Sequence, residues 1–402
     1  MTLLPVSDAL ERLLRAFTPV CPETVPLRQA HGRIAAKDIK ARLTQPPFDA
    51  SAMDGYAVRH ADLTGGPAIL KLIGEAPAGS VFSGTIGPGE AVRIFTGGVM
   101  PKGADTVIIQ ENTEKPAEDM VRILESAPRG KNIRRAGGDF RNGDILVEKG
   151  TRLTSRHIGL LAAANVATLP VSRIPRVALL STGDELVEVG GTVTAGQIVN
   201  SNAVMLSTLL EHQGAEVLEL GIARDNESSL RIMAEQVRDV DLFVTIGGAS
   251  VGDHDLVQKV LGTQGLEVDF WKIAMRPGKP LIFGHYRDIP MLGLPGNPAS
   301  AYVCALVFLL PALHRLQGRR SSGAQKVMVS LSCALPANGP RQHYMRARID
   351  SDAQGRLVAD LAGAQDSGWL SPLARSNGLL IRPPQAPAAA QGALIPALML
   401  PE

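Results

Sequence analysis

The chain has 402 residues, more than one ordinary core organises, so several domains are expected. Hydrophobic residues make up 45% and charged residues 20%, the balance of a globular rather than a disordered chain. A formal net charge of only +2 supplies no global basic field and argues against a nucleic-acid partner.

The opening stretch, MTLLPVSDALERLL, has no basic region before its apolar residues and turns acidic by Asp8, so no secretory signal peptide is expected. Residues 7–17 (SDALERLLRAF) predict an amphipathic helix, with Asp8 and Glu11 spaced like a capping box. From about Thr44 to Gly150 the chain is rich in Gly and Pro, with short β-type runs such as AVRIF (91–95) and TVIIQ (106–110). That texture predicts a small β domain with functional loops. A second helix is predicted over SRHIGLLAAANV (155–166), packed beside the N-terminal one so that the first domain is discontinuous.

After Pro175 strands and helices alternate. Strands are predicted at 176–182, 215–221, 241–247, 280–284 and 290–294, and helices at 201–213, 227–237 and from about Pro298, with Gly214 as a left-handed helix stop. This alternation indicates a doubly wound, mostly parallel α/β sheet covered on both faces. The greasiest stretch, Ala301 to Leu313, falls short of the roughly 20 residues a membrane span needs, so no membrane is expected. Beyond Arg319 the chain becomes β-like again, with strands predicted at 327–332, 343–349, 356–361 and 378–383. The expected domains are therefore 1–43 with 141–173, 44–140, 174–319 and 320–402. Three cysteines, Cys21, Cys304 and Cys333, share no metal-type spacing and cannot all pair with one another, which suits a reduced, cytoplasmic setting.

Ligands of open parallel sheets sit beyond the carboxyl ends of the strands. Here those ends carry Thr182-Gly183-Asp184-Glu185, Arg224-Asp225, Gly247-Gly248-Ala249-Ser250-Val251-Gly252-Asp253-His254-Asp255 and Pro295-Gly296-Asn297-Pro298-Ala299-Ser300. Glycines let backbone amides approach an anion, and a helix N-terminus adds partial positive charge. Glu185, Asp225 and Asp255 are hard oxygen ligands suited to magnesium, which binds one or two carboxylates together with substrate phosphate oxygens. Taken singly, glycine-rich strand ends can be plain turns, and Asp184 or Asp225 an ordinary cap or turn residue. Lys272, Arg276 and Lys279 flank a Pro-Gly turn that can aim cations into the crevice. The pattern GxxxxGK[ST] is absent, which excludes an ordinary P-loop. No Cys/His cluster supports zinc, and none of the eight histidines sits in a triad setting. In the β-rich region, PPFDASAMDGYAV (46–58), FTGGVMPKGADTVI (95–108) and RRAGGDFRNGD (134–144) form three unusual loops that present Asp54 and Asp139.

SAMDGYAV, FTGGVMPKGADTVI, STGDEL, TIGGASVGDHD, MRPGKP and GLPGNPAS occur in the order seen in the molybdopterin molybdenumtransferases, the MoeA family that includes the gephyrin E domain. The resemblance runs from about residue 5 to 395. It implies a four-domain subunit in an L-shaped homodimer, with a discontinuous dimerisation domain, a β-rich second domain and a small C-terminal β-barrel-like domain. It further implies adenylylated molybdopterin and molybdate as substrates, Mg2+ as cofactor, and release of AMP. The cleft would lie between the α/β and C-terminal domains, closed by the partner subunit's β-rich domain.

Residue by residue, the resemblance assigns the functional carboxylates to Asp54, Asp139, Glu185, Asp225 and Asp255, and the basic loop to Lys272, Arg276 and Lys279. It places Pro295, Pro298 and Ser300 on the cleft turn and Arg346 and Ser367 at an oxyanion subsite. Thr182, Gly183, Gly247, Gly248, Ser250, Gly252, Gly296 and Asn297 complete the expected cofactor-binding set. Arg276 stands where some members carry lysine, which exchanges a point charge for a planar fork. Transient contact with the molybdopterin adenylyltransferase and with downstream cofactor-handling proteins is expected. Two alternatives remain at this point: a nucleotide-processing enzyme on the same α/β module, and a scaffold that stores and delivers the cofactor.

Overall fold

The computed structural model describes residues 3–64, 66–248, 256–321 and 323–401. Its central sheet has six strands, in the order Glu216–Ala223, Arg176–Thr182, Leu242–Ile246, Ile289–Leu294, Ile282–Tyr286 and Leu266–Trp271. The first four are parallel, and Ile282–Tyr286 runs against both of its neighbours. Every residue of Leu242–Ile246 is buried, as a central strand covered on both faces requires.

Side-chain alternation divides the core. Val177, Leu179 and Val244 face one helical layer, while Ala178, Leu180 and Phe243 face the other. The first layer holds Ser201–His212 and one continuous helix, Pro298–Leu316; the second holds Glu227–Ala234 and Leu256–Gly262. Pro298–Leu316 is 19 residues long, and 89% of its most apolar window is buried inside the protein. The apolar stretch therefore extends past its predicted limits and is long enough to span a bilayer, but it serves as the core helix. A π stretch, Ala305–Leu309, lies just before Pro311, whose ring nitrogen cannot complete a regular turn.

Two expectations for the N-terminal helix fail. Val6–Arg15 begins after Pro5, whose side chain offers no acceptor, and no side-chain cap forms; Asp8 takes Ser7 Oγ and Glu11 takes Arg15 instead. The helix also does not pack beside the second one. Its stripe Val6, Ala9 and Leu13, with Phe17, joins the core of the α/β unit, and Val20 N donates to Leu316 O at 2.8 Å. An amphipathic pattern marks a buried face without naming what covers it.

The helix Ser155–Ala163 belongs to another core, in which Leu161 meets Ala30, Ala35, Val147 and Leu153. That core is discontinuous in sequence. Pro22–Pro26 pairs antiparallel with Thr168–Ser172, and Ile39–Lys40 pairs with Ile145–Val147. Between these segments lies the β-rich unit, a six-stranded sheet in the order Thr106–Ile109, Gly55–Val58, Glu90–Ile94, Ala68–Ala76, Met120–Ile123 and Thr113–Ala117.

Near the C-terminus five strands close on themselves, in the order Gln342–Ser351, Leu357–Leu361, Lys326–Leu331, Leu394–Met399 and Gly378–Arg382, which pairs back to the first. Met275–Arg276, from the basic turn of the α/β unit, adds to this barrel alongside Gln342 and His343. The turn is thus held by both units.

Candidate active site

A cleft of about 1080 Å³ opens beyond the carboxyl ends of the parallel strands. Thr182, Gly183 and Glu185 enter it from one strand end, Asp225 from a second and Gly247 and Gly248 from a third. The turn Pro295, Gly296, Asn297 and Pro298 supplies the fourth side. Leu186, Ile198, Val199, Leu230 and Val257 add apolar walls. Pro280 of the basic turn, and Gly368 and Leu370 from the C-terminal unit, also line it.

Bare backbone is needed at Gly247 and Gly248. Both have left-handed φ, +87° and +64°. A Cβ on Gly247 would stand 2.6 Å from Thr182 O, and one on Gly248 would stand 2.3 Å from Val257 Cγ2. Ser250, Gly252, Asp253 and Asp255 lie outside the described residues.

The two acidic strand ends are latched together. Asp225 N donates to Asp184 Oδ1 at 3.0 Å, and Asp184 N reaches Asp225 Oδ2 at 3.4 Å. Arg224 Nη1 donates to Asp184 O at 2.9 Å and Leu186 O at 3.2 Å, which holds the loop that carries Glu185. Because Arg224 bonds carbonyls, it neutralises none of these acids directly. Among the described residues Asp184, Glu185 and Asp225 make no ion pair. The described residues also hold no ready-made cage of three or more His, Cys, Asp or Glu side chains. Uncompensated Glu185 and Asp225 on a wide cleft fit magnesium, which keeps much of its shell as water and ligand phosphate.

The opposite side is tied to the C-terminal unit. Asn297 Nδ2 donates to Ser367 Oγ at 3.1 Å, and Ala299 N donates to Ser367 O at 3.0 Å. Ser300 is buried within the helix that Pro298 starts. Arg346 is 2% exposed, so its guanidinium stands behind the wall, donating to Ala364 O and Trp369 O, each at 3.0 Å. It shapes the loop carrying Ser367 and Gly368, and burial draws its pKa below the ordinary arginine value.

The basic turn borders the cleft rather than filling it. Lys272, at φ +67°, lays its Nζ over the Trp271 ring, 3.7 Å from the centroid. Arg276 is exposed on the barrel-paired strand, and the Lys279 carbonyl accepts from Ile273 N at 2.9 Å. Beneath the turn Gly278, at φ +99°, presses on Cys304; a Cβ there would lie 2.4 Å from Sγ. Beside Arg276, His343 is held down to about 4 by burial and then by Arg276, Arg341, Arg346 and Arg382. A neutral histidine among arginines leaves a net positive field where the two units meet.

Asp54 lies at the start of the β-rich sheet's Gly55–Val58 strand and Asp139 beside the Gln45–Phe140 bridge, and neither is among the described residues that line this chain's own cleft. Asp54 Oδ1 accepts from Thr96 N at 2.7 Å and Thr96 Oγ1 at 2.8 Å, and those bonds, the backbone one foremost, keep its pKa low. Asp139 N donates to Gln45 O at 3.1 Å. Asp49 accepts from Ala136 N at 2.8 Å and Arg135 Nη1 at 2.6 Å, which together with the Asp54–Thr96 bonds joins all three loops foreseen in the sequence.

Several cleft residues are not legible in the sequence. Arg224 lines it from a strand end already in view, and its neighbour Asp225 is the available signal. Lys259 projects from a helix, paired with Glu227 at 2.7 Å, and reads in sequence as a solvated lysine. Asn202 Nδ2 donates to Gly296 O at 2.6 Å, which leaves its buried Oδ1 without a partner among the described residues.

Three protein-family matches cover the chain: the MoeA N-terminal region (domain I and II) over 4–165, a probable molybdopterin binding domain over 178–315, and the MoeA C-terminal region (domain IV) over 329–400. A molybdopterin molybdenumtransferase of Nostoc sp. is 37% identical, over 90% of this chain and 85% of its own length. One from Haemophilus influenzae is 36% identical over 94% of each chain. Two solved structures of the molybdopterin biosynthesis MoeA protein from Pyrococcus horikoshii superpose with TM-scores of 0.83 and 0.86, at 32% and 28% identity, over 99–100% of both chains. Fold and cleft together define a multidomain protein built around a molybdopterin-binding α/β unit. The chain belongs to the molybdopterin molybdenumtransferase (MoeA) family, and its place is in molybdenum cofactor biosynthesis.

Proposed function

We propose that this enzyme inserts molybdate into adenylylated molybdopterin in a Mg2+-dependent reaction that releases AMP, and that it does so as a cytoplasmic homodimer. The observation that carries the proposal is the pairing, in one cleft, of bare Gly247–Gly248 backbone with Glu185 and Asp225, which make no ion pair among the described residues. The Gly247 amide is taken by Leu294 O at 3.0 Å, so it is the Gly248 end of this backbone that suits a phosphate, and unneutralised carboxylates suit a cation that travels with phosphate.

Glu185 and Asp225 would hold magnesium, which when bound offsets charge on the phosphoanhydride and the oxoanion. Asp184 and Arg224 keep both carboxylates in place through the latch described above. The apolar walls take the ring systems of the substrate, and Ser367 with the turn at Asn297 fixes the far edge. Lys272, Arg276 and Lys279 supply positive field against the dianionic oxoanion, at the border where Met275–Arg276 joins the barrel. Asp54 and Asp139 lie outside their own chain's cleft, which is what a loop serving the partner subunit's cleft requires. No cysteine nucleophile is called on; the buried Cys304 thiol is pushed far up by desolvation.

The test is to mix the purified protein with adenylylated molybdopterin, Mg2+ and molybdate, and to follow AMP. Release that depends on both molybdate and Mg2+ is expected. Tight binding with no AMP under any of these conditions would turn the reading into storage and delivery. ATP-dependent adenylylation of molybdopterin would turn it into the nucleotide-processing alternative.

A further inference from the structure

The barrel strand Gln342–Ser351 outruns one of its neighbours beside the cleft. Its pairing with Leu357–Leu361 covers Ala347 to Ser351 and stops short of Arg346. Arg346 is buried, and a buried backbone amide left without a partner is costly.

A side chain takes the place of the missing strand. Gln365 Oε1 accepts from Arg346 N at 2.9 Å, and Gln365 Nε2 donates to Arg346 O at 3.1 Å. The same Nε2 reaches Gly363 O at 3.3 Å, so an N–H and two carbonyls fix which end of the amide is oxygen and which nitrogen. The Gln365 amide thus reproduces the reciprocal pair of bonds that an opposing strand residue makes. Ala362 N donates to the same Arg346 O at 3.0 Å, which carries the ladder from the strand into the loop.

That loop, 362–369, forms the far edge of the cleft. Ser367 Oγ accepts from Asn297 Nδ2, and Ser367 O accepts from Ala299 N. Having accepted, the hydroxyl still has a proton to donate, and no described residue takes it. Gly368 follows and lines the cleft, its N–H held by Asp366 Oδ1 at 2.8 Å. Gln365 itself is not among the described lining residues.

We infer that Gln365 is a positioning residue: it docks the loop 362–369 on the barrel so that Ser367 and Gly368 stand against the Asn297 turn. For its consequence the inference rests on the reaction proposed above, in which a held Ser367 O–H is a donor for the incoming oxoanion. Gln365 then acts through Ser367.

Two measurements on the full chain test this. The first needs no substrate. Hydrogen exchange over 362–369 should quicken about tenfold or more in Gln365→Ala, the scale of one or two net hydrogen bonds, while Arg176–Thr182 exchanges as in wild type. Gln365→Met keeps the side-chain bulk and should behave likewise, which separates lost bonds from lost packing. The second is molybdate-dependent AMP release. Both variants should raise the KM for molybdate about tenfold, the scale of one charge-assisted hydrogen bond, with adenylylated molybdopterin bound within about threefold of wild type. Ser367→Ala should raise the same KM, and the double variant Gln365→Ala with Ser367→Ala should be no worse than Ser367→Ala alone. Unchanged exchange in Gln365→Met would overturn the inference. So would an unchanged molybdate KM, or a double variant in which the two effects multiply. A wild type that releases no AMP would defeat the proposed reaction instead, and the exchange result would then decide alone whether Gln365 holds the loop.

Discussion

The contact between Gly278 and Cys304 gives the sharpest test of how the basic turn is held. In Gly278→Ala the new methyl would stand 2.4 Å from Cys304 Sγ, at a backbone φ of +99°. The backbone penalty for an L side chain in that region is about 1–2 kcal/mol. Cys304 is fully buried in the core helix and cannot withdraw, so overpacking adds about 1–3 kcal/mol. Together these give about 2–5 kcal/mol of destabilisation. Cys304→Ala in the same chain removes the sulfur but not the backbone penalty. Denaturant unfolding of wild type, both single variants and the double variant forms a cycle, with an expected coupling of about 1–3 kcal/mol in the rescuing direction. A Gly278→Ala variant within about 0.5 kcal/mol of wild type, a surface-like value, would refute the reasoning. Absence of coupling would do the same.

Acid should weaken the fold through His314 and His343, whose folded pKa values are held at about 3 and about 4, below the ordinary 6.5. Folding favours their neutral forms, so this contribution is complete above pH 6.5 and is lost as pH falls toward 4. Urea midpoints between pH 7 and 4.5 should therefore fall less steeply in His314→Gln, whose parent Nδ1 accepts from Gly323 N at 3.1 Å; an unchanged slope would count against it. Arg224→Gln frees the carbonyls of Asp184 and Leu186 and should lower kcat/KM about 10- to 100-fold, the range for one or two charge-assisted hydrogen bonds; unaltered kinetics would remove Arg224 from the latch. Arg346→Lys cannot reach both Ala364 O and Trp369 O, so about 1–3 kcal/mol of stability should be lost. Weaker substrate binding should accompany that loss, read by titration.

Legibility in the sequence followed burial. Arg176–Thr182 is a run buried at six of its seven positions, and its predicted limits coincide with the observed strand. Leu266–Trp271 does not read as a strand because it is a sheet edge in which only Leu266 and Phe270 are buried, so charged residues interrupt its pattern. Leu394–Met399 is hidden by Pro396, which reads as a strand breaker; pairing with Gly378–Arg382 stops at Ala397, so Pro396 has a strand on one side only and is tolerated there. The glycine and carboxylate ends of the parallel strands stand out because nothing in core packing asks for them. Arg224, Asn202 and Lys259 do not stand out, since one polar residue in a turn or helix looks the same whether it meets solvent or a ligand. The position of Arg346 behind the cleft wall follows from three-dimensional packing, which no local spacing encodes.

The central claim is that Glu185 and Asp225 act in this cleft on a substrate the bare glycine backbone already holds. The most direct measurement compares wild type with Glu185→Gln and Asp225→Asn in two readings: equilibrium binding of adenylylated molybdopterin, and single-turnover AMP release with Mg2+ and molybdate. The expected result is substrate binding within about tenfold of wild type, a difference of about 1.4 kcal/mol, with AMP release reduced by about a hundredfold or more, the scale of one lost electrostatic contact in a transition state. Wild-type rates of AMP release from both variants would contradict the claim and move the chemistry away from these carboxylates.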